Sequence, residues 1–424
     1  MKNVESADIV IVGAGAAGLM TAIWAGRTAQ ANKTPKKIIL FDSKAKIGAK
    51  ILMSGGTRCN VTNREVTSAD YEGEPRHVIK HVLEGFRPEE TRQFFQEIGV
   101  ALVLEPTGKY FPETNSAQTV LTALIEEMRR VDVDLRTQAR VTQIKKIEQG
   151  FRLQLVDQDA ALIAKQVVLT TGGLSHPTTG SDGAGYVMAK QLGHTARPTF
   201  PALTPLMTTD KIWQSLSGIA FPMTLSFYQN GKKQKERTEA VLFTHFGFSG
   251  PAALDISRYW ASAEKESAPQ IVARFLPEQN EESLKQLFKT GRKKFPTQQL
   301  HNFFLKQTSL PARFLEAIFT KLKINGETVL AELSEKTIKQ LIQGFLYYPL
   351  EVSGVYGYQK AEVTAGGVDL REIHPATMAS KKMPGLFLAG EILNVDGRIG
   401  GFNFQWAWST GVLAGRACVL TLKG

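Results

Sequence analysis

Four uninterrupted apolar residues, 9–12, read as a strand buried on both faces of a parallel sheet. Gly13, Gly15 and Gly18 follow in GxGxxG spacing around Ala16, and a helix-forming run begins at once. KIILFD, residues 37–42, supplies the second strand of a strand–helix–strand unit and ends in an acid. Helix-like apolar spacing covers 84–99 and 117–130, with a turn or hairpin between them at 105–112 (EPTGKYFP). Alternation over 141–156 predicts paired strands. VVLTTGG at 167–173 and GLFLAGE at 385–391 repeat the pattern of a buried strand running into glycine. The first is followed by the small polar stretch 175–185, the second by Gly400, Gly401 and a helical run at 405–420. Three strand-to-glycine junctions this far apart fit the carboxyl edge of one parallel sheet, so the segment between the second and third is an insertion.

Within that insertion, 198–248 is rich in Thr, Phe, Leu and Val, with turn signals at Gln229-Asn230-Gly231 and Gly247, and reads as β-rich. Residues 283–345 read as four short helices with breaks near Pro296, Pro311 and Asn325-Gly326. The predicted fold is α/β: a Rossmann-type dinucleotide-binding domain in two segments, 1–195 and 346–424, a β-rich insert at 196–282, and a basic helical subdomain at 283–345.

Each glycine of the fingerprint has a task. Gly13 permits the sharp turn, Gly15 lets the backbone approach a pyrophosphate, and Gly18 lets the helix lie close. Free N–H groups and the helix dipole then favour the phosphates. Asp42 is placed to accept from a ribose, and an acid there repels a 2′-phosphate, which selects FAD or NAD over NADP. The polar stretch 54–60, which holds Arg58, Cys59 and Asn60, follows the ribose acid and is expected along the cofactor; a plain surface loop has the same composition.

Charge changes the picture most. The 424 residues carry 51 Lys and Arg against 40 Asp and Glu, a net +11, and the 283–345 segment alone has a surplus of seven. An excess of this kind suits an anionic partner such as RNA, although solvated helix faces look the same. Two cysteines exclude a disulfide framework and fit a reducing cytoplasm. The uncharged run 9–26 is long enough to resemble a membrane span, but its glycines divide it into strand, turn and helix. His77 and His81 stand four apart without an HExxH acid, which favours a solvated helix face over a metal pair.

SGGTRCNVTN, TTGGLSHPTTGSDGAGY, LFTHFGFSGPAALDIS, AEVTAGGV and GEILNVDGRIGGFNFQWAWSTGVLAG together resemble the bacterial BaiN/YhiN-like flavoproteins over nearly the full length. The resemblance implies FAD bound by a Rossmann-type domain in separated segments, with an inserted β domain and helical insert. It also implies NADH or NADPH as a transient donor, since the chain has one dinucleotide fingerprint. Family substrates include ribosomal RNA uridine, reduced to dihydrouridine, and small molecules. On this footing Gly172 and Gly173 line the adenine or ribose side. Gly390, Glu391 and Asp396 approach the ribityl chain and pyrophosphate, and Gly400, Gly401, Phe402 and Asn403 the isoalloxazine. Uracil reduction needs a weak acid, for which Cys59 and His245 are the candidates; Cys418, in an apolar helix, reads as core. A cation at Arg58 is expected to lower the Cys59 pKa. Asp42, Ala49, Thr57 and Asn394 replace the usual Glu, Arg, Gly and Asp, and Thr57 is expected to resist positive φ and reshape its loop. The competing classes are a small-molecule flavin reductase or oxidase and a non-enzymatic RNA-binding protein that keeps FAD.

Overall fold

The opening apolar run forms strand Ser6–Val12, with Ile9, Val10 and Ile11 fully buried, as a strand covered on both faces requires. In this computed structural model, which describes residues 5–156 and 161–422, it lies between Ile38–Phe41 and Leu162–Leu169, parallel to both. Asp134–Arg136 extends the sheet beyond Ile38–Phe41. On the other side, the antiparallel pair Gly150–Leu155 and Val141–Ile147 meets the first half of Leu162–Leu169, and Leu386–Leu388 runs parallel to its second half. Register aligns the strand ends: Val12 is paired with Phe41 and Leu169, and Leu169 with Leu388. The three glycine junctions therefore share one carboxyl edge, as the sequence pattern implied.

The first helix, Ala16–Ala31, packs against the last, Phe402–Leu420, backbone to backbone. A Cβ on Gly411 would stand 2.8 Å from the Ala17 carbonyl, and one on Gly415 would stand 2.5 Å from that of Thr21. The uncharged run 9–26 is thus strand, turn and helix. Among the described residues no helix is long and apolar enough to cross a membrane. The helical spacing at 84–99 resolves into two helices, Arg76–Gly85 and Pro88–Glu97, because Pro88 starts a new helix. The 105–112 stretch is a hairpin, with Leu102–Leu104 antiparallel to Lys109–Pro112. His77 and His81 are exposed on one helix, and no metal-binding cluster occurs among the described residues.

The chain divides into two compact units, one running to Phe200 and resuming at Glu362, the other Pro201–Ala361. The second is built on a seven-stranded antiparallel sheet in the order 348–350, 270–274, 220–229, 232–244, 247–249, 206–207 and 354–355. Residues 346–361, assigned from sequence to the returning dinucleotide segment, instead supply two strands of this sheet. Four helices, Glu281–Lys294, Leu300–Gln307, Ala312–Leu322 and Glu335–Leu346, match the number expected. They share one core with the sheet: Phe314 contacts Phe221, Phe275 and Trp213, with ring centroids 4.7, 4.8 and 6.2 Å away. A further helix, Pro251–Ser262, lies in the segment read as β-rich.

Candidate cofactor and active site

At the aligned edge the GxGxxG turn has the geometry its glycines imply. Gly13 has φ +105°, and a Cβ there would stand 2.7 Å from the Thr170 carbonyl. A Cβ on Gly18 would lie 1.8 Å from the Gly13 carbonyl, so the first helical turn can close on the loop only without a side chain. Gly15 differs: its φ is −80° and a Cβ would meet nothing within 4 Å. Its glycine is required neither by the protein's own packing nor by its backbone angle, which points to an external group. The helix that starts after it has no side-chain cap and no acid in its first turn, so its N–H groups are available to an anion. A dinucleotide pyrophosphate fits this cradle.

Asp42 sits at the end of the second strand, held by the Ala14 N–H on one oxygen and the Lys44 N–H on the other, both at 2.8 Å. Two fixed donors orient the carboxylate and leave lone pairs for ribose hydroxyls. Thr170, which the sequence reading passed over, donates to the carbonyls of Gly13 (2.8 Å) and Val12 (3.0 Å) and ties the third strand to the glycine turn. Gly172 has φ +70°. Gly173 lies against Glu391, where a Cβ would come within 2.8 Å of the carboxylate. Glu391 accepts from Lys50 Nζ, Ser175 Oγ and the Thr364 N–H, each at 3.0 Å. Lys50, Ser175 and Thr364 escaped sequence reasoning because only the fold brings them to Glu391. Gly390, at φ +79°, donates its N–H to Thr410 of the last helix.

The 54–60 stretch and the Gly400–Gly401 turn, far apart in sequence, meet directly. With its amide oriented to satisfy both partners, Asn60 accepts from the Gly401 N–H and donates to the Thr62 carbonyl, each at 3.0 Å. Asn63 donates to the Gly400 carbonyl at 3.0 Å. Asn403 closes the other side, bonding the N–H and C=O of Gly397 at 2.8 Å each. Asp396 is buried in the short strand Asp396–Gly397, which pairs with Tyr71–Glu72. Phe402, expected to approach the isoalloxazine, is instead wholly buried: its ring is edge-on to Tyr71, and its carbonyl accepts from the Tyr71 hydroxyl at 2.7 Å, so it supports this turn from within the core.

Two expectations about the 54–60 loop change. Thr57 adopts φ +69° after Gly55 and Gly56 at +55° and +67°, so threonine accepts the left-handed region that was expected to exclude it. That geometry costs roughly 1–2 kcal/mol. Thr57→Gly should relieve it, less roughly 0.5–1 kcal/mol of glycine chain entropy. A rise in the urea unfolding midpoint is the expected outcome, and a fall would show that Thr57 is unstrained. Cys59 is fully buried in the main core, and burial pushes its thiol up to about 12 against an opposing hydrogen bond with Ser54. Arg58 does not lower it: its guanidinium is held by Glu105 (2.7 Å) and Asn115 (3.3 Å) and lies 3.9 Å over the Phe111 ring. Cys418 is buried core, as read.

In the inserted unit, His245 is exposed at the turn between strands Lys232–Thr244 and Gly247–Ser249, its ring against Phe246. On helix Glu281–Lys294, Lys285, Lys289, Lys293 and Lys294 are exposed. Arg292 is not part of that face; it bonds Glu335 and the Leu333 carbonyl and joins two helices. Lys321 is likewise internal to the unit, 2.6 Å from both Asp210 and Glu351.

The family model described as HI0933-like protein Rossmann domain matches residues 7–417. A ribosomal RNA dihydrouridine synthase of Haemophilus influenzae is 34% identical over 99% of both chains. Another of that description from Escherichia coli is 34% identical over 96% of both. A 3-dehydro-bile acid delta(4,6)-reductase of Clostridium scindens is 33% identical over 96% of this chain and 98% of its own. Among solved structures, 3-ketosteroid delta1-dehydrogenase from Sterolibacterium denitrificans shares the fold, with a TM-score of 0.51 at 11% identity over 99% of this chain and 100% of that one.

Proposed function

The chain belongs to the HI0933-like family and is a flavin-dependent oxidoreductase, and from that premise we propose that it uses NADH or NADPH to reduce a uridine of large-subunit ribosomal RNA to dihydrouridine. The observation that carries this reading is the similarity, over nearly whole chains, to two enzymes named for that reaction. The exposed lysines of helix Glu281–Lys294 support it, since they offer charge to phosphates without sequence readout. The bile-acid relative favours a second reading, reduction of a small organic molecule. The two names describe one chemistry, because both substrates carry a carbon–carbon double bond conjugated to a carbonyl. A non-enzymatic role, weighed from the sequence, does not fit an oxidoreductase family.

Reduction of uracil adds a hydride at C6 and a proton at C5. FAD, when bound, supplies the hydride it has taken from the nicotinamide. In this reading the chain's own residues hold and orient. Gly13, Gly15 and the first helix take the pyrophosphate, Asp42 a ribose, and the Gly400–Gly401 turn with Asn60 the ring. Cys59 has no exposed surface through which to deliver a proton, whereas His245 presents an exposed imidazole. His245→Gln should keep FAD reduction by the nicotinamide and slow reoxidation by substrate by roughly 100-fold, within the range for a lost general acid. Stopped-flow separation of the half-reactions checks this; unchanged reoxidation removes His245 from the chemistry.

The proposal as a whole is tested by deleting the gene and mapping dihydrouridine in ribosomal RNA by mass spectrometry. Loss of one dihydrouridine, restored by the wild-type gene, is expected. An unchanged map would favour the small-molecule reading.

A further inference from the structure

We propose that Lys109 is a positively charged group beside the flavin that favours its reduced state, an inference that rests on the reading that the FAD ring lies along the Gly400–Gly401 turn. Lys109 opens the second strand of the 102–112 hairpin, a feature to which the reaction as described gives no role. Its place is fixed by backbone pairing: Asn63 and Lys109 are register partners, and the Arg64 N–H bonds the Gly108 carbonyl at 2.8 Å. Asn63 in turn bonds Gly400. The Lys109 stem lies against that turn, with Cε 3.5 Å from where a Gly400 Cβ would be. Gly400 has φ +128°, a backbone angle that side chains rarely adopt, and the Lys109 stem stands at ordinary contact distance from it.

Lys109 is half-buried as a residue, and among the described residues its ammonium makes no ion pair or hydrogen bond. Glu105, whose N–H bonds the Lys109 carbonyl at 2.9 Å, is already engaged by Arg58 at 2.7 Å, and Asp70 is engaged by Arg398 at 2.8 Å. Arg398, the other cation at this turn, is therefore neutralised while Lys109 is not. A cation with no counter-ion in the chain keeps its charge available to an anion from outside it. Two-electron reduction with uptake of one proton leaves a negative charge on the flavin, and a fixed cation within a few ångströms stabilises that state over the neutral oxidised ring.

The test uses purified holoprotein with Lys109→Met, Lys109→Gln and Lys109→Arg, and reads the flavin midpoint potential by dye equilibration and the dissociation constant for sulfite. In the two neutral variants sulfite should bind about tenfold more weakly. The balance between reduced and oxidised FAD should shift about tenfold toward oxidised, which for a two-electron couple is about 30 mV. Lys109→Arg should stay within about twofold of wild type, because it keeps the charge. Yellow Lys109→Met and Lys109→Gln proteins with wild-type potential and sulfite affinity would overturn the proposal and leave the FAD placement standing. If both neutral variants lose FAD while Lys109→Arg keeps it, the charge serves cofactor binding and the redox proposal falls. Wild-type protein without FAD would instead defeat the placement itself.

Discussion

Gly15→Val is expected to yield a correctly folded, colourless protein. At φ −80° any residue is accepted, and a Cβ at this position meets no atom of the chain within 4 Å. The apoprotein should therefore unfold at the wild-type urea midpoint. The added side chain instead occupies the approach of the pyrophosphate to the helix N–H groups, so the FAD dissociation constant should rise by about 100-fold or more, roughly 2.8 kcal/mol. Gly18→Val provides the contrast: its Cβ would stand 1.8 Å from a backbone carbonyl of the same loop, so fold and cofactor should be lost together. A Gly15→Val protein that retains FAD at wild-type affinity would show that the phosphates lie elsewhere.

Reversing Lys285, Lys289, Lys293 and Lys294 to Glu should abolish ribosomal RNA binding while FAD content and NADH oxidation with an artificial acceptor persist. Arg292 must stay, since it joins this helix to Glu335 and the Leu333 carbonyl and its loss would confuse stability with binding. The four lysines are exposed, and the one with an ion pair, Lys285, is 3.9 Å from Glu281, so the fold does not depend on them. If each meets one phosphate of a single strand, replacing them should flatten the log–log salt dependence by up to about 2.8, at roughly 0.7 per phosphate. An unchanged slope and affinity would remove this helix from RNA recognition.

The dinucleotide-binding half was legible because its signals are local. An apolar run, spaced glycines and a terminal acid encode strand, turn and ribose acceptor within one stretch, and three such junctions imply a common edge. What remained hidden depends on contacts between distant segments. Nothing near Asn60 announces Gly401, and nothing near Glu391 announces Lys50 or Ser175. The neighbour effect assumed for Cys59 failed for a related reason: Arg58 is adjacent in sequence, but Glu105 and Phe111 hold it, while the core takes the thiol. Thr57 shows a propensity overruled by the loop around it. The helix Pro251–Ser262 did have a readable start, glycine followed by proline at the first helical position, masked by the β-rich composition before it. The inserted sheet's last strands lie beyond the helices that interrupt it, which is why the return to the first unit comes at Glu362 rather than 346.

The central claim is reduction of ribosomal RNA by the flavin, and reconstitution tests it most directly. Ribosomal RNA from the deletion strain is incubated with purified holoprotein and NADH or NADPH, then digested and analysed by mass spectrometry for a two-hydrogen mass gain on one uridine. The account predicts that gain at a single site, dependent on the nicotinamide and absent with Gly15→Val. Unmodified RNA, under conditions in which the same holoprotein reduces a small conjugated ketone, would contradict it.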